Sequence, residues 1–221
     1  PRHLLGQPVA EARSMGIHES QSLFCEMQLG HHPAFLAQIA PRIRAHFGEQ
    51  AALAPENLEK LYNKVEPGLI RVDADEVTYP AHVILRYELE RDLIEGRIEV
   101  ADIPALWDAK MQQWLGLSTK GNYQNGCMQD IHWTDGSFGY FPSYTLGAMY
   151  AAQLRFALER ELGDMGQLIA AGRLPEIFGW LGRHIWSQGS LHGTDELIRR
   201  ATGEALNPQW LRKHLEQRYL K

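Results

Sequence analysis

The chain has 221 residues and carries 22 Lys and Arg against 27 Asp and Glu, a net charge of −5 with histidine neutral. That length suffices for one large domain or two small ones with a substantial core, and the acidic balance excludes the basic footprint that nucleic acid or an acidic membrane surface requires. Cys25 and Cys127 lie too far apart in sequence for a Cys-x-x-Cys pair or a disulfide framework and read as reduced thiols of a cytoplasmic protein. There is no apolar run long enough to span a membrane. The N-terminal PRHLLGQPVAEARSMG has neither a signal-sequence pattern nor an initiator methionine, so Pro1 reads as a cut end.

In chain order, GIHESQS (Gly16–Ser22) opens like His-Glu-x-x-His but has Ser22 where the second histidine would stand. As a helix, His18–Met27 puts Glu19, Ser22 and Glu26 on a polar stripe and Leu23, Phe24 and Met27 on an apolar one. HPAFLAQIAPRIRAHFG and NLEKLYNKV read as short helices broken by Pro and Gly. LIRVD alternates, Ile70 and Val72 against Arg71 and Asp73, and is the one credible short strand. In PAHVILRYELERDLIEG the stripe is Ala81, Leu85, Leu89 and Leu93; Pro80 fits the first turn, Asp75 or Thr78 can cap, and Gly96 should end the helix.

Ser118–Tyr144 is Gly-rich, aromatic and without period. An irregular segment that long is functional or disordered, and three of the six tryptophans falling between 107 and 133 argue for order. FPSYTLGAMYAAQLRFALERELG then predicts a long helix with Leu146, Met149, Tyr150, Leu154, Ala157, Leu158 and Leu162 on its buried stripe and Arg155, Glu159 and Arg160 outside it. Two more helices are expected over Glu176–Ser187 and Pro208–Tyr219, the latter with Asn207 as cap. No repeat or linker marks a second domain, so residues 1–221 read as a single, mainly α region with at most one short strand or hairpin.

Three constellations carry ionisable groups suited to chemistry, each with a plainer alternative. His18–Glu19 is either part of a metal site or a solvated helix face, and spacing alone favours the face. Arg71 in IRVDADE can grip a carboxylate with its planar fork, or simply pair with Asp73 or Asp75. In QDIHW, Asp130 could orient the His132 imidazole, with Gln129 as a polar contact and Tyr140 as a donor to a developing oxyanion; a loop pinned by Asp130 and Trp133 uses the same letters.

Together these segments resemble the thermostable carboxypeptidase 1 family of zinc- or cobalt-dependent metallocarboxypeptidases. HLLGQPVAEARSMGIHESQSLFCEMQLG is similar to its HES/GQ region, LIRVDADEVTYP to its IRxxAD region and GCMQDIHW to its GxxQDxHW region, in family order, from His3 to the end of the chain. The HExxH and DxRxT regions are not among these residues. The resemblance implies the C-terminal part of a helical peptidase domain that extends upstream of residue 1, where two histidine ligands and the catalytic glutamate would lie. It implies Glu19 as the third metal ligand with His18 beside it, and Arg71, with Gln129 and Asp130, as the binder of the substrate carboxylate. His132 and, more weakly, Tyr140 become the catalytic donors. The implied partner is a peptide with a free C-terminus, hydrolysed by the full-length parent with broad specificity, and a homodimer is allowed. The rival readings are a catalytically incomplete peptide-binding scaffold and a helical interaction protein without a site.

Overall fold

The computed structural model describes residues 2–220. Among them the α-helices are α1 (Met15–Leu23), α2 (Pro33–Phe47), α3 (Pro55–Tyr62), α4 (Tyr79–Ile94), α5 (Ile103–Leu115), α6 (Pro142–Leu162), α7 (Met165–Ala170), α8 (Leu174–His184), α9 (Thr194–Thr202) and α10 (Gln209–Tyr219). The chain divides into two compact units, the first formed by the chain up to Asn63 together with the chain from Leu146 onward, the second by Lys64–Thr145. The mainly α fold holds, and no helix is long and apolar enough to cross a membrane among the described residues.

In the first unit α6 runs through the core. Ala148, Ala151, Ala152, Leu154, Ala157 and Leu158 are all buried, and the small residues let neighbouring helices come close. They pack with Leu23, Phe24 and Met27 from the N-terminal side and with Ile169, Trp180 and Leu197 from α7, α8 and α9. Leu146, which the period places on the buried stripe, is 37% exposed at the start of this packing. At Gly147 an added Cβ would stand 2.7 Å from the Glu19 Cβ and 3.0 Å from the Glu19 carbonyl carbon. Only a glycine lets α6 lie this close to α1.

Ser14 caps α1 by accepting from the Ile17 N–H at 3.2 Å. The helix then widens into a π-helical stretch over Phe24–Gly30, closed by His31 N–H donating to the Glu26 carbonyl at 3.0 Å. Leu23, Phe24 and Met27 are buried and Ser22 and Glu26 exposed, as the two stripes predict. The proline break expected near Pro41 does not occur. α2 continues through it, because Pro41 and Ala37, whose carbonyl loses its helical donor, both face water.

The second unit packs Leu85 and Leu89 of α4 against Trp107 and Met111 of α5, with Trp133 edge-on to Trp107 at 6.5 Å. Gly116, at φ 70, closes α5 in the left-handed region. Asp75 accepts from the Val77 and Thr78 N–H groups at the entry to α4, while Thr78 stands at the cap position without a side-chain cap bond. α4 is not one-sided: His82, Arg86 and Glu90, spaced by four, form a second, polar stripe that is as buried as the apolar one.

The short strand expected at LIRVD is absent. Arg71–Asp73 form a single 3-10 turn, with Val72 pointing to water and Arg71 buried. The reason lies in the partner. Instead of a second strand, the Gln129 side-chain amide accepts from Arg71 N–H at 2.8 Å and donates to the Leu69 carbonyl at 3.0 Å, mimicking one peptide of a neighbouring strand. The irregular segment after α5 is ordered by such ties. Asp108 accepts from the Thr119 N–H at 2.6 Å, and Glu90 accepts from the Trp133 indole at 2.6 Å and from the Gly139 N–H.

Two expected outcomes follow from this packing. Gly147→Ala gains about 0.5–1 kcal/mol in helix propensity, but the clash with Glu19 costs about 1–3 kcal/mol, so the urea midpoint should fall; an unchanged or raised midpoint would show that α6 has room to spare. For His82, burial and then the neighbouring Arg86 push the ring down to about 4 from an ordinary 6.5. The unfolded chain thus binds this proton between those values and the folded chain does not. Stability is full above 6.5 and declines as pH falls toward 4, by about 2 kcal/mol at pH 5. Urea titrations from pH 7 to 5 should lose about one proton's worth of slope in His82→Leu, and equal slopes in the two proteins would contradict this.

Candidate active-site residues

In the first unit, Glu19 is partly buried on α1, one turn from its cap, and His18 is exposed. Ser22, in the position where a second motif histidine would stand, shares its one hydroxyl proton between the Glu19 carbonyl at 2.9 Å and the Glu19 carboxylate at 3.1 Å. The serine orients the glutamate. On the same helix Gln21 accepts from the Trp186 indole at 2.9 Å. A cleft of about 330 Å³ is lined by His18, Gln21, Ser22, Ile17, Arg13 and Trp186. It therefore reaches the residue that holds the Glu19 carboxylate.

In the second unit, Arg71, Gln129, Asp130, His132 and Tyr140 come together although up to 69 positions separate them, as 140 minus 71. Arg71 donates through Nε to Asp130 Oδ1 at 2.9 Å, and its Nη2 lies in ion-pair contact with the same oxygen at 2.7 Å. Its Nη1 donates to the Tyr79 hydroxyl at 2.9 Å, and its guanidinium carbon lies 4.9 Å from the Tyr144 ring centroid. Arg71 therefore pairs with Asp130, and neither Asp73 nor Asp75 is its partner. The second oxygen of Asp130 accepts from Arg86 Nε at 2.6 Å. Burial pushes the Asp130 carboxyl up, but Arg86 and Arg71 outweigh it and hold the group below its ordinary value.

The imidazole orientation expected from Asp130 takes a different form. His132 Nδ1 is 3.9 Å from Asp130 Oδ1, beyond hydrogen-bond reach, because both carboxylate oxygens are drawn to guanidiniums. His132 is held instead by Tyr144, whose hydroxyl is 2.8 Å from Nε2, and by the Phe141 ring at 4.3 Å. Tyr140 meets His132 by ring contact at 5.7 Å. Burial, then Arg71, lowers the His132 value, which keeps the ring neutral near pH 7.

Tyr79, Arg86 and Tyr144 escape the sequence reading. Arg86 carried a signal, since His82, Arg86 and Glu90 repeat every four residues inside an otherwise apolar helix. The two tyrosines stand at the first turns of α4 and α6, and nothing in their spacing sets them apart from other aromatics.

The donor set for a metal is incomplete. Among the described residues no group of three His, Cys, Asp or Glu side chains could hold an ion, and one carboxylate falls short of the three protein ligands of a catalytic zinc. Taken alone, the described residues do not make up a catalytic metal centre.

Residues 1–219 match the family described as carboxypeptidase Taq (M32) metallopeptidase. Thermostable carboxypeptidase 1 of Thermus thermophilus is 40% identical over 219 residues, covering 99% of this chain and 43% of that protein. Carboxypeptidase 1 of Bacillus subtilis is 38% identical over 217 residues, with 98% and 43% covered. Among solved structures, metallocarboxypeptidase 1 of Trypanosoma cruzi superposes with a TM-score of 0.93 at 52% identity, covering 97% of this chain and 45% of that one. The M32 carboxypeptidase of Deinococcus radiodurans gives 0.92 at 37%, with 98% and 44% covered. The chain spans less than half the length of the curated relatives it matches. With its HES, IRxxAD and GxxQDxHW segments folded as described and the match running across almost its whole length, this chain belongs to the M32 family of metallopeptidases.

Proposed function

We propose that the protein to which this chain contributes is a metal-dependent carboxypeptidase that removes the C-terminal residue of peptides with broad specificity. The observation that carries the reading is the state of Arg71. Of its five N–H groups, Nε–H goes to Asp130 and one on Nη1 to Tyr79, while Nη2 lies in ion-pair contact with Asp130, which leaves donor capacity on both terminal nitrogens. Donor capacity left on both terminal nitrogens of a planar fork suits a carboxylate, and the Arg71 guanidinium lies among the rings of Tyr79, Phe141 and Tyr144.

In this reading Gln129 and Asp130 act on the substrate through Arg71: Gln129 fixes its backbone and Asp130 its side chain. His132 and Tyr144 form one donor pair. His132 Nε2 pairs with the Tyr144 hydroxyl, and Nδ1, on the other side of the ring, is buried without a hydrogen-bond partner among the described residues, so that nitrogen is the one available to the substrate carboxylate or a developing oxyanion. Tyr140, in ring contact with both, is the lesser candidate. Glu19 supplies one ligand to a divalent ion, zinc or cobalt, whose other protein ligands come from outside the described residues. A cytoplasmic location belongs to the same reading, which also allows a homodimer. The second reading, a peptide-binding scaffold without catalysis, draws on the incomplete ligand set.

Arg71→Lys in the full-length enzyme should lower kcat/KM on a blocked dipeptide by roughly 30-fold, about 2 kcal/mol of transition-state binding, because a point-like ammonium cannot replace the fork. Unchanged kcat/KM would return Arg71 to a purely structural role. The 221-residue chain alone, dialysed against zinc or cobalt, should hold metal weakly and below one equivalent and release no C-terminal residue. One tightly held equivalent with turnover would place the whole ligand set within these residues.

A further inference from the structure

Arg86 is fully buried, with no part of the side chain exposed. Its Nη1 donates to the His82 carbonyl at 2.8 Å, and its guanidinium carbon lies 4.4 Å from the Trp107 ring centroid. Its Nε holds Asp130 Oδ2 at 2.6 Å. That last contact changes what Asp130 can do for Arg71. A carboxylate left alone with one guanidinium pairs side-on, one oxygen to each nitrogen of the fork. Here Arg71 Nε and Nη2 converge on Oδ1 alone, because Oδ2 is already taken.

The charge count points the same way. Two guanidiniums face one carboxylate, and burial keeps both His82 and His132 down toward the neutral form. The bonded trio of Arg71, Asp130 and Arg86 has one positive charge in excess, and Glu90, the buried carboxylate one turn from Arg86, is turned to the Trp133 indole and the Gly139 N–H. Without Arg86, Arg71 and Asp130 would cancel.

We infer that Arg86 is a positioning residue for the substrate: it ties up one oxygen of Asp130 and keeps the cluster one anion short, so that Arg71 takes a peptide's terminal carboxylate as the missing charge. The inference rests on the proposed role of Arg71 as carboxylate anchor and adds the residue that keeps this anchor cationic. A unit charge within about 10 Å, at an effective dielectric of about 20, is worth on the order of tenfold in anion affinity.

The test uses the full-length enzyme with Arg86→Gln, which keeps a hydrogen-bond donor and removes the charge, and Arg86→Lys, which keeps the charge and loses the fork. The readouts are KM and kcat on a blocked dipeptide, and competitive inhibition by 3-phenylpropionate and by its uncharged amide. Arg86→Gln should raise KM and the Ki of 3-phenylpropionate about tenfold, with kcat within about threefold and the amide unaffected. Arg86→Lys should stay within about threefold of the parent on both while its thermal midpoint falls. A folded Arg86→Gln with unchanged KM and Ki overturns the inference, as does an Arg86→Lys that loses affinity as far as Gln does. Should Arg86→Gln not fold, Arg86→Lys decides: retained Ki with lowered thermal stability supports the charge role, and a tenfold higher Ki rejects it. If Arg71→Lys also leaves KM and Ki unchanged, the anchor reading itself has failed; a normal Arg71 effect beside silent Arg86 variants rejects the role of Arg86 alone.

Discussion

One carboxylate, Asp130, shared between the guanidiniums of Arg71 and Arg86, sets the architecture of the second unit. Burying three charges is expensive, and removing one partner from such a group costs about 3–5 kcal/mol because the others are left uncompensated. The surrounding chain is arranged so that this does not happen. Arg86 comes from the middle of α4, Arg71 from a 3-10 turn, and Asp130 from a segment with no regular hydrogen-bond ladder. That segment has few ways to satisfy its backbone except through such ties. Gln129 binds the backbone of residues 69 and 71, Asp130 the two arginines, and Trp133 the Glu90 carboxylate. The segment from Gln129 to Trp133 is thereby tied by side chains to the turn at residues 69–71 and to α4.

The first unit shows the same economy on a smaller scale. Glu19 owes its placement to a serine one turn on and to a glycine on a different helix. Ser22 orients its carboxylate, and Gly147 lets α6 approach until only a hydrogen fits between them. A histidine in the place of Ser22 would have made a local two-histidine motif; the serine instead gives the Glu19 carboxylate a hydrogen-bond donor. The π-helical turns that follow let Phe24, Met27 and Leu29 all reach the core without a break in the chain.

Where hydrophobic period and burial coincide, the sequence was readable. The 21-residue α6, the stripes of α1, and the helices near Glu176 and Pro208 all announce themselves by apolar spacing. The failures have definite causes. LIRVD alternates like a strand, but alternation records only which side chains turn inward, and a side-chain amide can take the place of a partner strand. Pro41 reads as a break because the letters do not show that the Ala37 carbonyl it leaves without a donor lies on the exposed side of the helix. In the candidate site, Arg71, Asp130 and His132 stand out by residue type, while their partners Tyr79, Arg86 and Tyr144 are fixed only by the tertiary fold. The division of the chain into two units carries no composition shift or linker at residues 63 and 145, so nothing in the sequence marks it.

The most direct measurement of the account is a crystal structure of the full-length enzyme with a blocked dipeptide or released amino acid bound. The carboxylate should lie about 2.7–3.1 Å from both Arg71 Nη1 and Nη2, with Asp130 still bridging Arg71 and Arg86. A carboxylate bound elsewhere, with the Arg71 fork facing only protein, would contradict it.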